Sequence, residues 1–314
     1  MDLLLLIAGL AGLWFGTEIT IRGAVSISSR LGISEFVVGV AVLSVGSDLP
    51  ELAIAIDGAI KNIVGEGASD VVVGTALGSY LGQLGLVLGC AALILNLTLP
   101  KGIALRHGGA LIGSLVLLGI FGADGIVTRL EGVGLTIAYV IYLVALFTDP
   151  ASHDAEDLSP HHDKLLKTLV LLFGGLAIVT LSAEMTVSGA IGFAEDLGVS
   201  EAFVSFVIIG LGTSLPELSI SVGAAIAKRA SLSIGNLIGS NVFDTLVPIG
   251  VAAAISRISF DRGMLTTELP YLILLTVVVM FFFLYKRGIQ RIEAFIILGM
   301  YFGYVTFKAV MSQV

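Results

Sequence analysis

Gly46-Ser47-Asp48-Leu49-Pro50-Glu51 lies in the middle of a long apolar stretch, and Gly212-Thr213-Ser214-Leu215-Pro216-Glu217 repeats the phrase 166 residues later. A carboxylate at membrane depth is expensive without a partner, so Glu51 and Glu217 read as site residues. Each follows a proline, which interrupts the helix ladder and frees backbone carbonyls nearby. Two such interruptions, one in each half, predict paired discontinuous helices around an ion site.

The surroundings are those of a membrane protein. Of the 314 residues 56% are hydrophobic and 13% charged, against about a quarter charged in a soluble domain. Mean hydropathy is +1.05. Apolar runs near the length of a bilayer span recur along the chain. The 39 glycines suit close helix packing in lipid. Cys90 is the only cysteine, so no internal disulfide forms. A net charge of −8 gives no basic face for nucleic acid. Asp2 stands where a signal peptide would carry basic residues, and the N-terminus reads as the first span.

The pattern predicts an all-α polytopic protein with ten transmembrane helices. They cover roughly 3–29, 35–61, 69–94, 104–121, 130–148, 166–194, 201–227, 231–254, 267–285 and 290–311. Loops after the odd-numbered spans hold Arg22, Arg30, Lys101, Arg106, Lys164, Lys167, Lys228, Arg229, Lys286, Arg287 and Arg291. The opposite side holds Lys61, Arg129, Arg257, Arg262 and Lys308. This excess predicts that both termini lie outside. Moving Arg22 into span one, where Glu18 stands one turn earlier as a partner, leaves the orientation unchanged.

Beyond the two phrases, Thr17-Glu18-Ile19-Thr20-Ile21-Arg22-Gly23-Ala24 aligns with Ala183-Glu184-Met185-Thr186-Val187-Ser188-Gly189-Ala190, and Leu31-Gly32-Ile33-Ser34-Glu35 with Leu197-Gly198-Val199-Ser200-Glu201. The shift then falls to 161, and Gly74-Thr75-Ala76-Leu77-Gly78-Ser79 matches Gly235-Asn236-Leu237-Ile238-Gly239-Ser240. Residues 1–148 and 166–314 thus read as two five-span repeats with broken helices in spans two and seven. An odd span number inverts the second repeat, an architecture of secondary transporters. Between them, 149–165 reads as an acidic cytoplasmic linker, although His153, His161 and His162 also allow a metal-sensing reading.

Two facing glutamates repel each other unless a cation joins them. A divalent cation accepts both, with hydroxyls and carbonyls completing an oxygen shell. No Cys or His lies near either phrase, which argues against zinc or copper. Ser47 and Thr213 stand one helical turn before the glutamates, and carbonyls around Ser44 and Gly210 are expected at the breaks. Spans three and eight add a second layer: Gly78-Ser79-Tyr80-Leu81-Gly82-Gln83 and Gly239-Ser240-Asn241-Val242-Phe243-Asp244. Within these, Ser79 and Gln83, like Ser240 and Asp244, are one turn apart.

Together these motifs resemble the alpha repeats of the sodium/calcium exchanger family, within the cation/calcium antiporter superfamily, in its short prokaryotic form. The second half matches throughout and the first half less closely. The resemblance implies a calcium site formed by Glu51 and Glu217 with carbonyls near Ser47 and Thr213. It implies flanking sodium sites using Ser214, Ser79, Ser240 and the same glutamates. It places Gln83 and Asp244 beside a central position, and it makes spans one and six a sliding gate. Three residues depart from the pattern: Asp48 replaces a small hydroxyl residue, Tyr80 an asparagine, and Gln83 a shorter Asn or Asp. Asp48 brings the carboxylates to four with Glu51, Glu217 and Asp244, and such a group titrates jointly.

The expected function is therefore not enzymatic. It is secondary exchange of Ca2+ for Na+ by alternating access, with no cofactor and no protein partner, in a lipid bilayer. The alternative within the same fold is proton-coupled or K+-assisted exchange of Ca2+ or another divalent cation. An intramembrane aspartyl protease built on Asp48 and Asp244 leaves both glutamates unexplained. A channel fits the inverted broken-helix plan less well than alternating access does.

Overall fold

The computed structural model describes residues 2–149, 164–196, 212, 214–286 and 288–311. Eleven helices dominate the described residues. They are α1 (Asp2–Leu31), α2 (Glu35–Ser47), α3 (Leu49–Ile63), α4 (Ser69–Ile94), α5 (Lys101–Phe121), α6 (Arg129–Thr148), α7 (Leu165–Asp196), α8 (Leu215–Ile226), α9 (Ala230–Ile255), α10 (Met264–Tyr285) and α11 (Arg291–Met311). Eight of them are long and apolar enough to cross a membrane. A broken span is formed by α2 and α3, which meet at 46°. The twelve-residue α8 is shorter and begins inside the second phrase, at Leu215, while residues 201–211, expected to begin span seven, lie outside the described residues. So do Arg287 and most of the acidic linker, 150–163.

Local signals fix where the helices start and stop. Ser34 caps α2 by accepting from the Val37 N–H, satisfying a donor the helix itself leaves open. At α6 the exchange is reciprocal: Thr128 accepts from the Glu131 N–H, and the Glu131 carboxylate accepts from the Thr128 N–H. The chain leaves α1 through Gly32, whose φ of +65° is available to glycine at little cost. Arg22 lies inside α1 and not in the following loop; it pairs with Glu18 one turn earlier, and both are largely exposed.

The centre of the protein is α9. In its apolar window 83% of residues are buried, against 22% in α6 and α11. It packs on α2, α3, α4, α5, α6 and α8. On the periphery, α10 lies against α5 and α11 against α4. A helix surrounded on all sides by protein can carry polar groups that lipid would exclude, and α9 carries Ser233, Asn236, Ser240, Asn241, Asp244 and Thr245, all fully buried.

The longest contact joins α1 to α7. Gly9 approaches the backbone at Thr186, Gly16 that at Val179, and Gly23 that at Leu172. The partner number falls as the glycine number rises, so the helices are antiparallel. From the other side Gly175 meets the backbone of Thr20, and Gly189 that of Leu6. A β-carbon at Gly16 would lie 3.0 Å from the Val179 nitrogen. The small residues therefore set the helix separation, as expected where apolar helices gain little from leaving lipid.

Two short pairings tie the halves together at the loops. Strand β1 (Ile126–Val127) pairs antiparallel with β2 (Ile258–Ser259), with Val127 opposite Ile258. Leu97 pairs with Ile289 through both backbone bonds, 3.0 and 2.8 Å.

Candidate cation site

The first break is visible in the backbone. In α2 the Asp48 N–H still donates to the Ser44 carbonyl, and the ladder resumes when the Leu52 N–H reaches the Asp48 carbonyl. Between them the carbonyls of Val45, Gly46 and Ser47 receive no backbone donor one turn on. Pro50 supplies part of the reason, having no N–H. The carbonyls expected around Ser44 are thus those of the next three residues, closer to the glutamate, while the Ser44 carbonyl itself is occupied. In the second half, Leu218 repeats the bond to the Ser214 carbonyl. Thr213 and Gly210 lie outside the described residues.

Each break aims its glutamate from the first turn of a helix, Glu51 from α3 and Glu217 from α8. The positive end of a helix favours an anion there. Asp48, Glu51 and Glu217 each present an oxygen, and the three oxygens lie within 4.8 Å of one another. All three residues are buried. One oxygen of Asp48, one of Glu51 and both of Glu217 make no hydrogen bond of ordinary geometry, although Asp48 and Ser47 stand beside Glu217. Among the described residues none of the three, nor Asp244, is paired with a Lys or Arg. Buried anionic oxygens left without donors and crowded together are the donor set of a hard cation.

The second layer has two unequal ends. At one, Ser240 on α9 donates to Asp48 Oδ1 at 3.0 Å, and Ser47 donates to the same oxygen at 3.2 Å. At the other, Ser79 Oγ has no partner, and Ser214 lies buried near Gly82. Gln83 reaches across from α4 and donates to Asp244 Oδ2 at 2.9 Å. Asp244 keeps its other oxygen unpartnered, as does Gln83, and Asp244 stands outside the three-carboxylate cluster. Tyr80, fully buried, serves packing: its hydroxyl meets Thr276 at 2.8 Å, away from the carboxylates.

Three features were not foreseen from sequence. Residues Gly39–Leu43 of α2 and Gly82–Val87 of α4 are wound as π-helix, a form that recurs at functional sites. Both segments begin at glycine, which is too common a residue here to have marked them. The third is Tyr139 on α6, whose buried hydroxyl has no partner although Ser44 and Asp48 are its polar neighbours.

A bundle of membrane-length helices enclosing a cluster of unpaired carboxylates defines a transporter of cations. The family described as sodium/calcium exchanger protein matches residues 1–148 and 167–310. The chain belongs to that family, whose members are antiporters of the membrane and not enzymes. It is 28% identical over 293 residues to an uncharacterised membrane protein of Methanocaldococcus jannaschii, covering 93% of each chain. It is 25% identical to the sodium/calcium exchanger MaX1 of Methanosarcina acetivorans, covering 97% of each. Its fold superimposes on the sodium-calcium exchanger NCX_Mj, soaked with Na+ and Ca2+, with a TM-score of 0.83 and 26% identity over 97% of each chain.

Proposed function

We propose that the protein exchanges Ca2+ for Na+ across the plasma membrane by alternating access. The observation that carries this reading is the cluster of Asp48, Glu51 and Glu217, with oxygens within 4.8 Å of one another and mostly unpartnered. Ca2+ takes six to eight oxygens. Glu51 and Glu217 supply the bridging carboxylates, and carbonyls near Ser47 and Thr213 complete the shell. Na+ binds at the flanks through Ser79, Ser214, Ser240 and the same glutamates, with Gln83 and Asp244 bordering the centre. In this reading α1 and α7 slide together past the remaining helices, and their close antiparallel contact supports movement as one body.

The same reading takes the chain as ten spans in two inverted repeats, 1–148 and 166–314, joined by the linker 149–165. The loop pairings support it. Ile258 stands 161 residues after Leu97, and Ile289 stands 162 after Val127. The pairing of Leu97 with Ile289 and that of Ile258 with Val127 therefore exchange under the repeat, as a two-fold relation between halves requires. Both termini lie outside, by the excess of Lys and Arg after odd spans.

Radioactive calcium uptake into proteoliposomes loaded with Na+, K+ or protons tests the function. Uptake driven by internal Na+ and lost in Glu217→Gln is expected. If no gradient drives calcium, the substrate assignment fails. One observation favours a second reading: Asp48 adds a buried carboxylate to the cluster. On that reading a proton or K+ takes the place of one Na+, and its gradient drives uptake instead.

A further inference from the structure

Sliding of α1 and α7 needs a contact that holds the pair in place and can be released, and one stands in the middle of α1. Thr17 is buried there, and its hydroxyl meets that of Ser219 on α8 at 2.7 Å. Ser219 also reaches the carbonyl of Leu13, one turn earlier on α1, at 3.5 Å. One turn beyond Ser219 stands Gly223, and a β-carbon there would run into the Thr17 methyl group. Thr17 is thus seated in a notch, with a hydroxyl on one side and bare backbone on the other. The fit is local. A cavity of about 1100 Å³ opens beside it, between α1, α8 and the start of α7, and Thr17 and Ser219 both line it. So α1 has room to move once Thr17 leaves the notch.

The other half lacks this device. At the repeat shift of 166, Thr17 corresponds to Ala183 on α7, and Ser219 and Gly223 correspond to Ala53 and Asp57 on α3. Neither alanine offers a hydroxyl, and Asp57 fills the place of the bare glycine. Ala53 and Asp57 are exposed, whereas Ser219 and Gly223 are half-buried against α1. A two-fold relation between halves sets α7 over α3 in the opposite access state, as α1 is set over α8 here. There the two helices meet without a hydrogen bond at this position.

We propose that Thr17 in its notch is a latch that favours the access state seen here over the opposite one, so that the two ends of the slide are unequal in energy. The proposal rests on the alternating-access reading above. Interhelical hydroxyl bonds in membranes are individually small, so the latch biases the equilibrium by about threefold and does not lock it. A bias of that size is undone by ions that bind the two states unequally.

Double electron–electron resonance between spin labels at Leu31→Cys and Ala227→Cys, both exposed positions, reads the slide of α1 past α8 in Cys90→Ala protein held in lipid nanodiscs. Two distances are expected, the one that matches this structure predominating. Thr17→Val keeps the methyl group and removes the hydroxyl, and it is expected to move their ratio by about threefold toward the other distance. Ser219→Ala should do the same, and the two together no more than either alone, since they share one bond. Gly223→Ala, which pushes Thr17 from the notch, should move the ratio the same way. Building the notch in the other half, with Ala183→Thr, Ala53→Ser and Asp57→Gly, should populate the second distance further. An unchanged ratio in Thr17→Val and Ser219→Ala overturns the latch, and so does a shift toward the distance seen here. A single distance in Na+, in Ca2+ and in neither overturns the alternating-access reading together with the latch.

Discussion

The two broken phrases differ at the residue that matters most for charge: Asp48 stands in the first where Ser214 stands in the second. Around Asp48 the site is anionic and organised, since Ser240 and Ser47 both donate to one carboxylate oxygen. Around Ser214 it is neutral, and Ser79, the repeat counterpart of Ser240, has a hydroxyl with no partner. Buried groups must find partners or pay for desolvation. The first end partly satisfies itself, whereas the second leaves the Ser79 hydroxyl without a hydrogen-bond partner. Asp48 against Ser214, and Gln83 against Asp244, make the two matching sets of motifs unequal in charge although both glutamates stand in the first turn of a helix.

The largest effect should come from the pair the comparison holds equal. Glu51→Gln and Glu217→Gln each remove one charge from a buried ion cluster. Breaking such a pairing costs about 3–5 kcal/mol, so calcium exchange should fall by about 100-fold or more in either variant. Calcium flux in proteoliposomes measures this. If one variant retained most of its activity, the glutamates would not be equivalent ligands, and the two-fold relation of the site would be broken.

Next comes the residue on which the ends differ. Asp48→Ser makes them alike, and it should weaken apparent calcium affinity by about tenfold, the loss of one charged interaction. It should also change which monovalent gradient drives uptake. The reciprocal exchange, Asp48→Ser with Ser214→Asp, keeps the number of carboxylates and moves the charge to the other end. Restored affinity there would show that the number of charges matters; failure would show that the hydrogen bonds at Asp48 matter as well. An Asp48→Ser variant with unchanged ion dependence would remove Asp48 from the coupling.

Much of this plan was legible in the sequence because bilayer thickness constrains it. Every apolar run near 20 residues reappears as a helix within a few residues of its expected ends wherever the chain is described. The first break was legible because a proline lacks the N–H that the ladder needs there. The freed carbonyls fall one to three residues beyond Ser44, around which they were expected, since proline position alone does not say where the ladder resumes, and here it resumes at Leu52. Gln83 and Asp244 occupy equivalent places in the repeat, 161 residues apart, but spacing does not reveal that they bond to each other. The π-wound segments stayed hidden because winding responds to packing against α9 and α11, which local propensity does not encode.

The smallest expected effect separates the ends most finely. Ser240→Ala removes a donor from a buried carboxylate, whereas Ser79→Ala removes a hydroxyl that meets no protein group. For the empty protein the first should lower stability by about 1–3 kcal/mol. The second should be near neutral or slightly stabilising, because an unsatisfied polar atom is lost. For ion binding the order should reverse: a hydroxyl with no protein partner is free to ligate Na+, while the one on Asp48 is already committed. Thermal unfolding without ions, compared with the Na+ dependence of calcium release, reads both effects in the same variants. If Ser240→Ala proved the more damaging to Na+ dependence and the less damaging to stability, the end holding Asp48 would be the sodium site, and the neutral end would have to be assigned a packing role.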